Sequence, residues 1–231
     1  MRPPEEEPAG QGAPAEQAAP RTPGPQPPQY GRYVVLLAIV ILVLITINTI
    51  VTKPNGDAGV APGANVPPFA VPLATSDLAG DADVATHAGQ GLAGDIPACR
   101  ERGPRILNIC QLYEQGPVVL ALFIDGGSCP DVLGEMQALV AAFPQVRFAA
   151  VAIKGGTGGV RKLIRAKRLT FPVGLDRDGA LAALYKLATC PQVSFISRGG
   201  AVRSKALLST PSPALLRRRV EALVRQDGRV G

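Results

Sequence analysis

Nineteen consecutive residues, Tyr33 to Val51, carry no charge, and this run decides how the chain divides. A helix needs about 20 apolar residues to cross a bilayer. A core helix is shorter and shows a polar face, and a cleaved signal peptide sits at the extreme N-terminus with a shorter apolar stretch. The run is therefore expected to be a single transmembrane helix at 33–51. Arg21 and Arg32 precede it and a lone Lys53 follows it closely. That asymmetry favours an N-terminus in the cytoplasm, with the chain a single-pass protein of the cytoplasmic membrane and everything after the run extracytoplasmic.

The flanks are compositionally poor in core material. Residues 1–32 are dominated by Pro, Gly, Ala, Glu and Gln, and read as a disordered cytoplasmic tail. Residues 52–98 are rich in Pro, Gly, Ala and Asp and read as a linker, in which Val66 to Leu73 is a candidate edge strand, because Pro is tolerated at a sheet edge. That leaves 99–226 as the folded domain and 227–231 as a tail. The net charge of +6 is uneven: three Arg against four Glu up to residue 32, and 21 basic against 14 acidic residues beyond it. A basic domain outside the membrane, without aromatic interleaving, is not read as a nucleic-acid binder. Its charge is that of a solvated face, held near anionic lipid headgroups.

Pattern becomes dense from Gly116. Val118 to Ile124 is an uninterrupted apolar run, as in a strand covered on both faces. Pro130 to Phe143 repeats apolar residues at helical spacing, with Pro130 suited to the first turn. Val146 to Ile153 is a second strand, broken by Gly155-Gly156-Thr157-Gly158-Gly159. This glycine run lacks the Lys-Ser/Thr of a phosphate loop and reads as a flexible turn. A short basic helix over Val160 to Arg168 follows, then a strand-like Phe171 to Leu175, and a helix from Asp178 to Leu187 with Asp178 as its expected N-cap. A hairpin pairs Val193–Ile196 with Val202–Leu208 through Arg198-Gly199-Gly200, and a helix over Pro213 to Val224 closes the chain. This alternation argues for an α/β sandwich with helices on both faces of a central sheet.

The chemistry concentrates on cysteine. Cys129 falls at the junction of the Val118–Ile124 strand and the Pro130 helix. A helix N-terminus favours thiolate over thiol, so this sulfur is a candidate nucleophile for disulfide exchange. Four cysteines outside the cytoplasm make disulfides plausible, with three pairings open. Cys99 and Cys110 are close in sequence around Gly103-Pro104 and read as a structural bond; the alternative is that one of them resolves Cys129 from a mobile segment. With a single His, His87 in the linker, and no Cys/His zinc spacing, no metal is expected. Asp125 is a secondary candidate as proton acceptor, otherwise a turn cap. Glu135 reads as helix-surface charge.

The stretch from Gly116 to Val224 resembles the thioredoxin-like fold, a three-layer sandwich with a central mixed sheet. It is most similar to membrane-anchored TlpA/ResA-type thiol-disulfide oxidoreductases and to related redoxin domains. Three segments carry the resemblance: Val118–Met136 with its strand, Cys-Pro and helix; Phe171–Gly179; and Leu187–Ile196, in which Pro191 matches the family's cis-proline. The resemblance implies that Cys190, just before that proline, lies beside Cys129 and serves as its resolving thiol or permanent partner; alone, Cys190 is a small hydrophobe. It also implies protein disulfide substrates, a membrane electron donor and no cofactor.

The departures define alternatives. The second cysteine of the family's Cys-x-x-Cys falls on Val132, and the Trp that commonly precedes the first falls on Ser128. The Thr that a peroxiredoxin places three residues before its reactive cysteine is Gly126 here. The expected function is a membrane-tethered extracytoplasmic thiol-disulfide oxidoreductase with Cys129 as nucleophile. The alternatives are a non-catalytic binding module stapled by structural disulfides and a peroxiredoxin-like peroxidase.

Overall fold

A computed structural model describes residues 31–51 and 58–228, with side chains in the first stretch described at 31 and 33–46. The chain divides into two units, Met1–Asn55 and Gly56–Gly231. The expected tail at 1–30, the start of the linker at 52–57 and the last three residues lie outside the described residues.

In the first unit, helix α1 covers Gly31–Val51. Its side chains from Tyr33 to Ile45 are all exposed, and the Thr46 hydroxyl donates to the Leu42 carbonyl one turn back, which satisfies it within the helix. Over the residues described in full, no helix is long and apolar enough to cross a membrane. The backbone helix itself runs for 21 residues.

The second unit is built on a four-stranded sheet in the order β5-β4-β3-β6. Its strands are β3 (Val118–Phe123), β4 (Arg147–Ile153), β5 (Val173–Asp176) and β6 (Gln192–Ile196). The first three are parallel, and β6 runs antiparallel to β3 with Leu122 opposite Gln192 and Val118 opposite Ile196. Every residue of β3 is buried, which explains why it lacks the alternation of a half-exposed strand. Val119, Ala121 and Phe123 point into one apolar cluster with helices α3 (Asp131–Val140), α4 (Thr157–Ala166) and α6 (Pro213–Asp227). Leu120 and Leu122 point into the other. There they meet helices α2 (Ile109–Gln115) and α5 (Ala180–Leu184) and a two-stranded ribbon, β1 (Ala70–Pro72) with β2 (Ile106–Asn108).

Four expectations change. The 52–98 stretch does not behave as a linker from residue 59 onward. Phe69, Val71, Ala74 and Ala85 are fully buried, and Ala70 exchanges both backbone hydrogen bonds with Asp83. Two arginines hold the segment down: Arg161 donates to the Ala74 and Ser76 carbonyls at 2.7 and 2.6 Å, and Arg177 to the Gly80 and Leu78 carbonyls. The domain therefore starts some forty residues before Cys99. Second, α4 starts at Thr157, so Gly158 and Gly159 are helical. A Cβ at Gly159 would overlap the Asp125 carboxylate, which sits on the first turn of α4. Third, α5 is capped by Asp176, not Asp178: Asp176 accepts from the amides of Gly179, Ala180 and Leu181. Fourth, the return limb of the expected hairpin forms no continuous strand against β6: it is held at the Ile196–Val202 and Val193–Leu207 bridges and by the Arg203 amide, which donates to the Phe195 carbonyl at 2.8 Å.

Helix α2 and strand β2 have no counterpart in the sequence reading. Asn108 joins them. Its side-chain oxygen accepts from the Gln111 amide, and its nitrogen donates to the Ala98 and Glu101 carbonyls at 2.7 and 2.8 Å.

Candidate functional site

The register of β6 against β3 explains how residues 61 apart in sequence become neighbours. Gln192 lies opposite Leu122, so the two residues before it reach the level at which β3 ends and the Ile124–Ser128 turn begins. Cys129 closes that turn, immediately ahead of Pro130 and the first turn of α3, where the Asp131 amide donates back to the Ser128 carbonyl. The Cα atoms of Cys129 and Cys190 are 5.4 Å apart and the two form a disulfide. The Cys190–Pro191 peptide is cis, and Pro191 is buried.

The backbone amide of Ile124 points at both sulfurs, 3.0 Å from Cys190 Sγ and 3.3 Å from Cys129 Sγ. A single backbone donor is thus within reach of either sulfur. The two cysteines differ in burial. Cys129 is 8% exposed and packs in one cluster with Val132, Leu133 and Met136, whereas Cys190 is only partly buried and follows the exposed Ala188 and Thr189. The Thr189 hydroxyl donates to the Leu208 carbonyl at 2.6 Å, which ties the loop before Cys190 to the return limb. The Ile124 side chain is half exposed, an apolar contact at the mouth of the site.

Asp125 is exposed, with its carboxylate against Gly159. Asp131 pairs with Lys167 at 3.1 Å, an exposed bridge joining α3 to the residue after α4. Glu135 is half-buried on α3, and His87 is exposed with its ring nitrogen beside the Thr86 hydroxyl. Among the described residues no group of three or more His, Cys, Asp or Glu side chains is placed to hold a metal.

The most perturbed carboxyl, Asp176, lies two strands away at the end of β5. Burial pushes it up to about 6, helped by the hydrogen bond it shares with Asp178, against the pull of the Leu181 and Gly179 amides. Asp178 is held below the ordinary carboxylate range: its own burial works against this, and the hydrogen bond from Asp176 and the Ala82 amide prevail. This pair caps a helix and anchors the 80–83 segment, so its role is in the fold.

Cys99 and Cys110 form the second disulfide, with Cα atoms 5.3 Å apart. Cys99 lies in the short turn over Ala98–Arg100 and Cys110 in the first turn of α2, the two pieces that Asn108 also joins. A cavity of about 330 Å³ lies at the opposite end of the sheet, lined by Val140, Val146, Phe148 and Phe171 among others. The Ile124 amide has no signature in the sequence, because a backbone donor leaves no mark on composition or pattern.

No family model and no curated protein matches this chain. Solved structures do. A protein assigned as thiol:disulfide interchange protein DsbE from Chlorobium tepidum superposes with a TM-score of 0.54 at 18% identity, over 71% of this chain and 98% of that one. A protein assigned as a protein disulfide isomerase from Bacteroides thetaiotaomicron gives 0.53 at 14% identity, over 74% and 95%. Peroxidoxin BcpB from Mycobacterium tuberculosis gives 0.52 at 15% identity, over 74% and 98%. The second unit thus has a mixed α/β, thioredoxin-like fold.

Proposed function

We propose that this chain is a thiol-disulfide oxidoreductase whose working pair is Cys129 and Cys190. The observation that carries the reading is the meeting of these two sulfurs over the Ile124 amide, one contributed from ahead of α3 and the other from just before Pro191. When the bond opens, the positive end of the α3 dipole and the Ile124 amide favour the thiolate of Cys129, the form that takes part in exchange. Pro191 has no N–H of its own and shapes the groove in which a substrate backbone lies. Sulfur exchange needs no cofactor: two electrons pass to or from a protein disulfide, and a membrane partner resets the pair.

Tethering is part of the proposal. At about 1.5 Å per residue the 21 residues of α1 extend about 31 Å, the thickness of a hydrocarbon core. Its outward apolar side chains have no polar face to give to water. The arginines ahead of it favour an extracytoplasmic position for the domain. Cys99 and Cys110 serve as a structural bond in this reading.

One observation favours a second reading, the non-catalytic module: Cys129 is nearly buried. The peroxidase reading is weaker, because Gly126 offers no hydroxyl to a peroxide. The test is an insulin-type disulfide reduction assay combined with the reduction potential of the pair. Turnover that disappears in Cys129→Ser and in Cys190→Ser, with a potential above about −300 mV, supports the oxidoreductase; no turnover and a lower potential overturn it.

A further inference from the structure

We propose that partners enter through the sulfur of Cys190, and that Cys129 is the leaving and resolving sulfur. This rests on the oxidoreductase reading and reverses the order expected from the sequence, where Cys129 attacks first.

Three features point the same way. Access is the first. Cys129 is 8% exposed within an apolar cluster, whereas Cys190, which packs against the same cluster, is only partly buried and is preceded by two exposed residues. Leaving ability is the second. Exchange is faster when the departing thiol is the more acidic, and only Cys129 sits at the N-terminal end of a helix, the 10-residue α3. Cys190 leads through Pro191 into strand β6, which has no such field. Geometry is the third. An incoming thiolate approaches along the S–S axis from the side opposite the sulfur that departs. Attack on Cys190 therefore does not need the buried flank of Cys129 to open, whereas attack on Cys129 does.

The exchange then balances as follows. A partner thiolate attacks Cys190 Sγ. The Cys129–Cys190 bond breaks, its electron pair leaves on Cys129 as thiolate, and the partner sulfur is bonded to Cys190. The Ile124 amide, within reach of both sulfurs, donates to the departing one. A second thiolate of the partner attacks the partner sulfur of the mixed disulfide and releases Cys190. The partner leaves oxidised by two electrons and the domain is reduced by two. In the reverse direction Cys190 attacks a substrate disulfide, and Cys129 attacks Cys190 Sγ to expel the reduced substrate.

The experiment uses the oxidised full-length wild type in detergent micelles. Excess reduced glutathione is added, the mixture is quenched with iodoacetamide at successive early times, and peptides are mapped by mass spectrometry. The expected product is glutathione on Cys190 with Cys129 alkylated, about tenfold over the reverse arrangement. Glutathione mainly on Cys129 overturns the assignment of entry and leaves the oxidoreductase reading standing. A Cys129–Cys190 bond that stays closed at every time overturns both.

Discussion

Replacing both Cys129 and Cys190 by alanine removes a link between residues 61 apart, and replacing Cys99 and Cys110 removes one between residues 11 apart. A cross-link stabilises chiefly by restricting the unfolded chain, by an amount that grows with the logarithm of the loop. The two loops give about 4.3 and about 2.8 kcal/mol at 25 °C. They follow one another without overlap, so the losses add. Alanine is preferable to serine because it leaves no unpaired hydroxyl at the nearly buried Cys129. With a urea slope of about 2 kcal/mol/M, the midpoint of the 56–231 unit falls by about 2 M for the 129/190 pair and by about 1.4 M for the 99/110 pair. Circular dichroism in a urea series measures both. The reasoning fails if the 99/110 variant is the less stable of the two, or if the 129/190 variant loses under about 1 kcal/mol. The same free energy appears in the redox equilibrium. At about 30 mV per 1.4 kcal/mol, 4.3 kcal/mol places the Cys129–Cys190 couple about 90 mV below an unconstrained pair, and a glutathione titration reads this directly.

Tyr185→Phe removes the hydroxyl that donates to the Pro67 carbonyl at 2.8 Å, and a loss of about 1–2 kcal/mol in urea denaturation is expected. Gly174→Ala places a methyl where the Val71 and Leu107 side chains of the β1–β2 ribbon already lie, costing about 1–3 kcal/mol, with the ribbon amides losing hydrogen-exchange protection first. The Asp176 carboxyl is raised from 3.8 to about 6, so the native state holds that proton more tightly than the unfolded chain. Its contribution is complete below about pH 4 and is lost as pH rises through about 6. Urea midpoints from pH 4 to 7 should therefore decline more steeply in the wild type than in Asp176→Asn.

The parts of the fold that follow a local rule were legible in the sequence. Val118–Phe123 is buried on both faces and reads as a continuous apolar run; Asp131–Val140 keeps its apolar stripe; Pro213 marks the start of α6. The 58–98 segment follows no such rule. Its buried residues are mostly alanine and valine scattered among turns, and the groups that fix it, Arg161 and Arg177, come from about 85 to 99 residues further on. Asp178 reads as the cap of α5 because it stands nearer the helix in sequence. Asp176 does the capping because its fully buried position at the end of β5 aims its oxygens at three free amides. At the site, the candidacy of Cys129 came from its local setting, but the proximity of Cys190 came from resemblance alone. No spacing rule connects residues that meet through an antiparallel register between β3 and β6.

A pair assembled from two loops differs physically from one held within a single helical turn. A Cys-x-x-Cys bond opens and closes inside one element, and the chain between the sulfurs is too short for its redox state to govern much of the domain. The Cys129–Cys190 bond encloses α3, β4, α4, β5 and α5. Opening it relaxes a constraint on all of them in the unfolded chain, so the redox state of this pair is coupled to global stability. Such coupling makes the oxidised form the more durable one and lowers the tendency of the pair to accept electrons. The helix end beside Cys129 acts in the opposite sense, because it stabilises the thiolate that reduction creates. The function of the domain turns on which of these terms is larger. If loop closure dominates, the bond is a staple; if the field at α3 and the Ile124 amide offset most of about 4.3 kcal/mol, it is an exchange centre.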